Sequence, residues 1–381
     1  MEKELFKTIF NFQKKSKIKA GDGLKLGEGN FPFYTSSNVL TKSLNQYLFE
    51  DESLIFGTGG LASIHHCYEK FAVSTDCFVT QPKDTNQTCA KFVYYYLSGN
   101  IHILENGFKG AGLKHISKDY LENIEIPMPS FATQQKIASI LDKAVELSQY
   151  NQQLIEKYDA LTQSLFLEMF GPTNQKRIEW KEVKVENIVK NEKGSMRSGP
   201  FGSDLLHSEF VEKGIPVLGI DNAVLNKFQW KQRRYITEDK YQKLKRYTVF
   251  PKDIIITIMG RIGKVAVVPD NIGVAINTKH LAAISLNQKI ANPEFIAFSL
   301  HSDRSILSQI NQKGKGAIMT GLNLTIIKEL SLKLPPIDLQ NQFAERLQII
   351  EAQKQQAQEA LGKSEALFQG LLQQAFRGEL N

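Results

Sequence analysis

"IPMPSFATQQKIASIL" occupies residues 126–141, and "LKLPPIDLQNQFAERL" occupies residues 332–347. The two stretches lie 206 residues apart and read as copies of one signal. Each has a Pro-rich exit (Pro127 and Pro129; Pro335 and Pro336), then a run with apolar residues at helical spacing. Self-similarity at a long offset sets an architecture before any motif is read. The same offset matches "GAGLKHIS" (110–117) to "GAIMTGLN" (316–323), and "LTQSLFLEMF" (161–170) to "LFQGLLQQAF" (367–376). Upstream it shrinks slightly, as loops of different length require. "FAVSTDCFV" (71–79) pairs with "VAINTKHLA" (274–282), "IFGTGGLAS" (55–63) with "ITIMGRIGK" (256–264), and "FPFYTSSNV" (31–39) with "IPVLGIDNA" (215–223).

Each half therefore predicts a mixed α/β stretch followed by one long helix. "SLIFG" (53–57) and "DIIITI" (253–258) read as buried strands from their apolar and β-branched content. "AKFVYYYLS" (90–98) and "PEFIAFSLH" (293–301) read as short helices, the second with Asn292 as N-cap and Pro293 at the first helical position. Ser117 and Asn323 occupy equivalent N-cap places. Each is flanked by an apolar staple pair, Ile116 with Leu121 and Leu322 with Ile327.

In the first long helix Ile137, Ile140, Ala144, Leu147, Asn151, Leu154, Tyr158, Leu161 and Leu165 step by three and four, a heptad seam with Asn151 as its one polar member. Gly171-Pro172 ends it. In the second, Phe343, Leu347, Ile350, Ala357, Leu361, Ser364, Phe368 and Leu371 keep the seven-residue rhythm. Neither helix is stable alone, so the two are expected to pack on each other. The boundaries are 1–130, 131–171 (helix), 172–336 and 337–381 (helix). The fold class is α/β (α+β): two repeated mixed domains separated by two long helices in an antiparallel coiled coil, a pseudo-twofold circular arrangement. At about 34 residues per helix and ~1.5 Å rise, the rod spans about 50 Å, or about 15 base pairs of duplex.

The composition fits this plan. The chain has 381 residues, room for two or three domains, with the 42% apolar and 23% charged content of a globular protein. The longest apolar run, Ile254–Met259, is far too short to span a bilayer. The N-terminus shows no signal peptide. Three cysteines without a CxxC pair fit reduced thiols and a cytoplasmic location. His65, His66 and Cys67 have no neighbours that complete a four-ligand metal set. Net charge is +7 and unevenly placed: residues 172–336 carry 26 basic and 15 acidic side chains, whereas residues 1–130 carry 14 of each. A basic domain suits a polyanion.

The cluster Gly57, Thr58, Gly59, Gly60 raises the question of a nucleotide or S-adenosylmethionine site. GxGxxG fails at Ala62, and "GRIGKV" (260–265) lacks the spacing and final Ser/Thr of a phosphate-binding loop. "LPPI" (334–337) lacks the polar first and aromatic last residue of an amino-methyltransferase loop. Only Gly59 has a counterpart in the second copy, Gly260. The cluster therefore reads as a structural turn.

With these features in place the chain resembles the specificity (S) subunit of type I restriction-modification systems, over essentially its whole length. "SGPFGSDL" (198–205), "GIPVLGIDN" (214–222), "LPPIDLQNQ" (334–342) and "LLQQAFRGEL" (371–380) carry the resemblance, in that order on a repeat of that size. The first domain departs from it: it opens on "MEKELFKTIF" without the tryptophan of "IEWKEVKVENI" (178–188), and it has no "GPFGS" counterpart. The resemblance implies two target recognition domains, each reading one half of a split site on double-stranded DNA, with helical spacers setting the gap. It further implies two modification (methyltransferase) subunits that methylate adenine with S-adenosylmethionine, and restriction subunits that add ATP-driven translocation and cleavage. The S subunit itself then holds no catalytic group, cofactor or metal. The competing readings are a lone S-adenosylmethionine-dependent methyltransferase and a coiled-coil adaptor that ignores DNA.

Phosphate contacts call for Lys and Arg, and base contacts for Arg, Lys, Asn, Gln and Ser. In the second domain Lys231, Arg233, Arg234, Lys243, Lys245 and Arg246 crowd a short stretch with Tyr235 and Tyr247 interleaved, and Arg261 follows in the Gly260 turn. "NQKGKGAIMTG" (311–321) supplies Lys313 and Lys315; its partner "ENGFKGAGLKH" (105–115) supplies Lys109 and Lys114. Lys14, Lys15, Lys17 and Lys19 form the dense basic run of the first domain, which contains no arginine. Ser36, Ser37 and Asn38, opposite Asp221 and Asn222, are candidates for base readout; turn and cap duty explains such residues equally well.

Overall fold

Short β-branched and aromatic strands closed by glycine turns build the same scaffold in both copies of the repeat. The computed structural model describes residues 2–231, 233–314 and 322–380. The chain divides into unit one, residues up to Ile155 with those from Gln356 onward, and unit two, Glu156–Gln355. Each unit thus takes the start of one long helix and the end of the other.

Among the described residues, unit one has an antiparallel four-stranded sheet in the order Phe10–Phe12, Cys77–Pro82, Ser53–Gly57, Ile64–Cys67. A second sheet runs Leu24–Lys25, Lys42–Leu44, Phe31–Tyr34, Ala72–Val73, and its last pair is parallel. Unit two repeats the first sheet with Met196–Ser198, Leu281–Ile284, Ile254–Thr257, Val265–Val267. Its second sheet runs Tyr235–Ile236, Ile215–Leu218, Ala275–Asn277, Thr248–Val249, with a parallel pair in the middle. A separate strand pair closes each copy, Lys3–Leu5 on Glu125–Pro127 and Lys181–Lys184 on Ser331–Leu334. Gly60 (φ 85°) and Gly260 (φ 74°) sit in the left-handed region inside the corresponding hairpins, so the cluster is a turn, but the glycine that takes positive φ is Gly60, one residue after the Gly59 that the alignment pairs with Gly260.

The capping signals are equally local. Asn292 accepts hydrogen bonds from the Glu294 and Phe295 amides and starts the helix Pro293–Ser302. Ser117 accepts from the Tyr120 amide, and Asn323 from the Ile326 amide. The staple residues Ile116, Leu121, Leu322 and Ile327 are all buried.

The long helices are Phe131–Phe170 and Ile337–Arg377, 40 and 41 residues. A buried glutamine fixes the first turns of each. In unit one, Gln134 accepts from the Cys89 amide (2.9 Å) and donates to the carbonyls of Pro129 (2.9 Å) and Gln87 (3.1 Å). In unit two, Gln340 accepts from the Asn292 amide (2.9 Å) and donates to the carbonyls of Pro335 (2.8 Å) and Ile290 (3.0 Å). Their exposures are 1% and 0%. Both occupy the same place in the aligned stretches 126–141 and 332–347.

Within each unit the helical segments run antiparallel. In unit one Ser148 faces Ser364 (3.0 Å) while Leu141 shares a core with Leu372. In unit two Phe170 packs on Phe343 (5.4 Å between centroids), and Asp159 is ion-paired with Lys354. Along the second helix, Phe343, Ile350, Ala357 and Ser364 are buried, and Leu347, Leu361, Phe368 and Leu371 are half-buried. On the first, Ile137, Ala144 and Asn151 are buried, Tyr158 and Leu165 half-buried. The alternate positions must be corrected. Leu147 and Leu161 are exposed (45% and 49%), Ile140 and Leu154 only half-buried, and the seam instead uses Leu141, Ser148, Ile155 and Thr162, each one residue later. A heptad admits both a three-four and a four-three alternation, and the apolar content favours the first. The polar members of the second are satisfied: Ser148 and Asn151 donate to the Ser364 hydroxyl (3.0 and 3.5 Å), and Thr162 to the Tyr158 carbonyl (3.0 Å).

Removing a buried group with three hydrogen bonds leaves its partners unpaired, at about 1–3 kcal/mol each. Gln340→Leu should therefore destabilise unit two by about 3 kcal/mol or more in chemical denaturation. The exposed neighbour change Gln342→Leu should stay within about 0.5 kcal/mol.

Candidate nucleic-acid interface

Parallel neighbours send their chains out at the same end of a sheet, and loops gather there. In unit one that end follows Tyr34 and Val73; in unit two it follows Leu218 and Asn277.

In unit one, hydrogen bonds gather three of the candidate groups around the glycine turn. The Ser36 hydroxyl donates to the Asp76 carbonyl (2.6 Å) and accepts from the Thr58 amide (3.2 Å). The Thr58 carbonyl accepts from the Ile116 amide (3.1 Å) and lies 3.1 Å from His115 Nδ1. The Gly60 amide reaches the Lys114 carbonyl, and the Thr75 amide donates to the Ile18 carbonyl (2.8 Å). The lysine run, the 36–38 turn and the hairpin Phe108–Lys109/His115–Ile116 thus share one end of the unit. Lys14, Lys15, Lys17, Lys19, Ser37, Asn38, Lys109 and Lys114 are exposed there. Lys15 also lies over the Phe78 ring (5.6 Å). Ser36 differs from its neighbours: its half-buried hydroxyl is bonded to backbone groups and braces the turn.

The same end of unit two is more open. Gly199 follows the strand Met196–Ser198, and a Cβ there would fall 2.2 Å from the Asn277 carbonyl oxygen, so only glycine allows this approach. The "SGPFGSDL", "GIPVLGIDN" and 276–280 segments meet around a pocket of about 430 Å³, lined among others by Phe210, Asp221, Arg234, Thr278, Lys279 and His280. Arg234 is ion-paired with Asp221 (3.2 Å). Burial, with Lys279 and Arg234 alongside, holds the His280 imidazole below its usual range. Asn222 is 1% exposed, accepts from the Gly219 amide (2.8 Å) and donates to the Gln229 carbonyl (2.7 Å), so its amide fixes the loop.

The other candidate cations of unit two are of several kinds. Lys231, Lys243 and Lys245 are exposed. Arg233 stacks on Trp230 (5.1 Å), and Arg246 stacks on Tyr247 (4.6 Å) and pairs with Asp204 of the "SGPFGSDL" loop (3.2 Å). Arg261 is exposed in the hairpin beyond Ile254–Thr257. The helix Arg304–Gly314 includes the Lys313 backbone; Lys315 and most of the loop 311–321 lie outside the described residues.

Sequence reasoning passed over Lys279 and His280, although the alignment of 274–282 with 71–79 had already placed them just after a repeated strand. Arg197 is interior: it donates to the carbonyls of Thr248 (2.7 Å) and Gly194 (3.1 Å) and to Ser285 (3.0 Å), and it is ion-paired with buried Asp253. It anchors the strand that delivers Gly199 to the pocket.

These two units, each with two four-stranded sheets and a parallel strand pair at whose end loops gather, define a duplicated scaffold. The model of the type I restriction modification DNA specificity domain matches residues 3–158 and again 177–361, and the chain belongs to that family. It is 24% identical over 276 residues to the type I restriction enzyme MjaVIII specificity subunit of Methanocaldococcus jannaschii, covering 68% of this chain and 63% of that protein. It is 24% identical over 323 residues to the EcoBI specificity subunit of Escherichia coli, covering 76% of this chain and 65% of that protein. The chain thus spans under two thirds of the length of both relatives. Its fold is that of the type I restriction-modification system S subunit from M. genitalium, with TM-score 0.67 and 17% identity over 98% of this chain and 95% of that one. Among the described residues no helix is long and apolar enough to cross a membrane.

Breaking one side of a buried ion pair strands a charge, at about 3–5 kcal/mol. Asp253→Ala should destabilise unit two by about that amount in chemical denaturation, whereas Lys231→Ala should leave stability within about 0.5 kcal/mol.

Proposed function

We propose that this chain is the DNA-specificity subunit of a type I restriction-modification complex. The observation that carries the reading is the family match falling once on each copy of the repeat, 3–158 and 177–361. In this reading residues 1–130 and 172–336 are the two target recognition domains, and each reads one half of a bipartite site on double-stranded DNA. The helical regions 131–171 and 337–381 are spacers that set the gap. The exposed lysines and arginines around each parallel-strand end contact phosphates and supply salt-sensitive affinity. The chain is cytoplasmic and non-catalytic. Two modification subunits bring S-adenosylmethionine and methylate adenine, and restriction subunits bring the ATP-driven translocase and nuclease.

Selection of the full chain against a random duplex library tests this. The expected result is two short fixed sequences separated by a gap of indifferent bases. No selected sequence at any salt concentration would leave the adaptor reading standing instead. On the selected duplex, Lys231→Ala and Arg233→Ala should weaken binding to all sequences alike and lower the salt slope by about 1 for each phosphate that a side chain no longer neutralises.

The spacer reading makes a separate prediction. One heptad added to both long helices lengthens each by about 10 Å, the rise of roughly three base pairs. The selected gap should grow by about that much with both half-sites unchanged; altered half-site bases at an unchanged gap would refute it.

A further inference from the structure

An exposed ion pair adds little to stability, because water screens it and two long side chains must be held still. One such pair in unit two is nonetheless tightly held. The Arg246 guanidinium lies over the Tyr247 ring (4.6 Å) and donates through Nη2 to Asp204 Oδ2 (3.2 Å) and to the Tyr247 hydroxyl. That hydroxyl donates in turn to the same Asp204 oxygen (3.4 Å). The Arg246 side chain is still 70% exposed. Its two Nη1 donors and its Nε donor have no hydrogen-bond partner among the described residues.

The backbone beneath the pair is fixed as well. Tyr247 is half-buried and packs on the cluster of Val217, Ile236, Tyr241, Leu244 and Ile276. The carbonyl of the next residue, Thr248, accepts from buried Arg197 (2.7 Å), and its hydroxyl donates to the Lys245 carbonyl (2.7 Å). Thr248 pairs antiparallel with Ile276, so the residues before it stand at the end where the parallel strands Ile215–Leu218 and Ala275–Asn277 leave their sheet. The loop 198–205, which carries Asp204, reaches the same end where Gly199 meets the Asn277 carbonyl.

A phosphate contact needs none of this. Phosphates draw any flexible cation, and a carboxylate at the guanidinium works against them. What Asp204 and Tyr247 supply is a fixed direction for a planar group that bonds as a fork. In the major groove guanine offers such a fork two acceptors side by side, O6 and N7.

We infer that Arg246, aimed by Asp204 and Tyr247, is a specificity-determining residue that donates to O6 and N7 of one guanine in the half-site read by unit two. This rests on the DNA-specificity reading above. Phosphate contact stays with the exposed lysines just before it, Lys243 and Lys245.

The test uses the full chain and the duplex it selects. Each guanine of the selected motif is replaced in turn by 7-deazaguanine, which deletes the N7 acceptor, and by adenine in an A·T pair, which turns the O6 acceptor into an amino donor. At one of these guanines the wild-type chain should lose about 10- to 100-fold in affinity on adenine substitution, and severalfold with 7-deazaguanine. Arg246→Ala should bind those three duplexes within about twofold of one another and keep its preferences elsewhere in the motif. Arg246→Lys should return affinity for unrelated duplex to about the wild-type level without returning the preference at that guanine. Asp204→Asn should bind unrelated duplex at least as tightly as wild type, since a repelling charge is gone, while its preference at the same guanine falls. An Arg246→Ala chain that unfolds at the wild-type midpoint and keeps its full preference at every guanine overturns the inference. So does a motif without guanine, or a preference that Arg246→Lys restores in full, the mark of a phosphate contact. In each of these cases a selected bipartite motif leaves the functional reading intact; a wild-type chain that selects no motif overturns both.

Discussion

A primary amide shut away from water must use its donors and its acceptor, or cost several kcal/mol. Gln134 and Gln340 meet that demand in the same way in the two units. Each joins the carbonyl at the Pro-rich exit to the backbone just before the short helix Ala90–Gly99 or Pro293–Ser302. The direction in which the chain leaves the sheets and enters a long helix is therefore set by a rigid three-bond clasp, not by a flexible linker. Every apolar contact that the helix then makes in its unit inherits that direction: Leu141 with Leu372 in one case, Phe170 with Phe343 in the other. Duplication preserved the clasp while nearly every surrounding side chain changed.

The parallel strand pair plays the corresponding part where the loops gather. Two backbones leaving side by side create a place where several loops must be held at once, and the units solve this differently. Unit one closes the place with a serine hydroxyl shared among backbone groups and leaves a fringe of lysines. Unit two keeps it open by glycine at 199 and 219, with an arginine–carboxylate pair inside and a buried arginine, Arg197, fixing the approach strand. The two units thus carry different chemistry at the same end of a common scaffold.

Much of this was legible from residue types alone. The caps at Ser117, Asn292 and Asn323 and the staple pairs depend on neighbours a few residues away, and they appear where the sequence calls for them; the first glycine turn takes its positive φ at Gly60, one residue past the paired Gly59. The helices run longer than the expected 34 residues because their first turns lie in the clasp, ahead of the apolar seam. Asn222 and Ser36 carry the right groups for base contact, and loop closure uses those groups within their own units. Leu147 and Leu161 look like seam residues because leucine is apolar, yet Ser148 and Thr162 take the inward positions once a facing hydroxyl or carbonyl satisfies them.

The sequence by itself determined the duplication, the order of mixed region and helix, the period of each seam and the local caps, since all of these are written in spacings along one chain. Only the tertiary structure decided the phase of the first seam and which arginines turn inward. Those outcomes depend on partners more than 50 residues away, such as Thr248 and Asp253 for Arg197, or Ser364 for Asn151. A side chain's burial and hydrogen bonding are properties of such pairs, and no single stretch of chain specifies a pair.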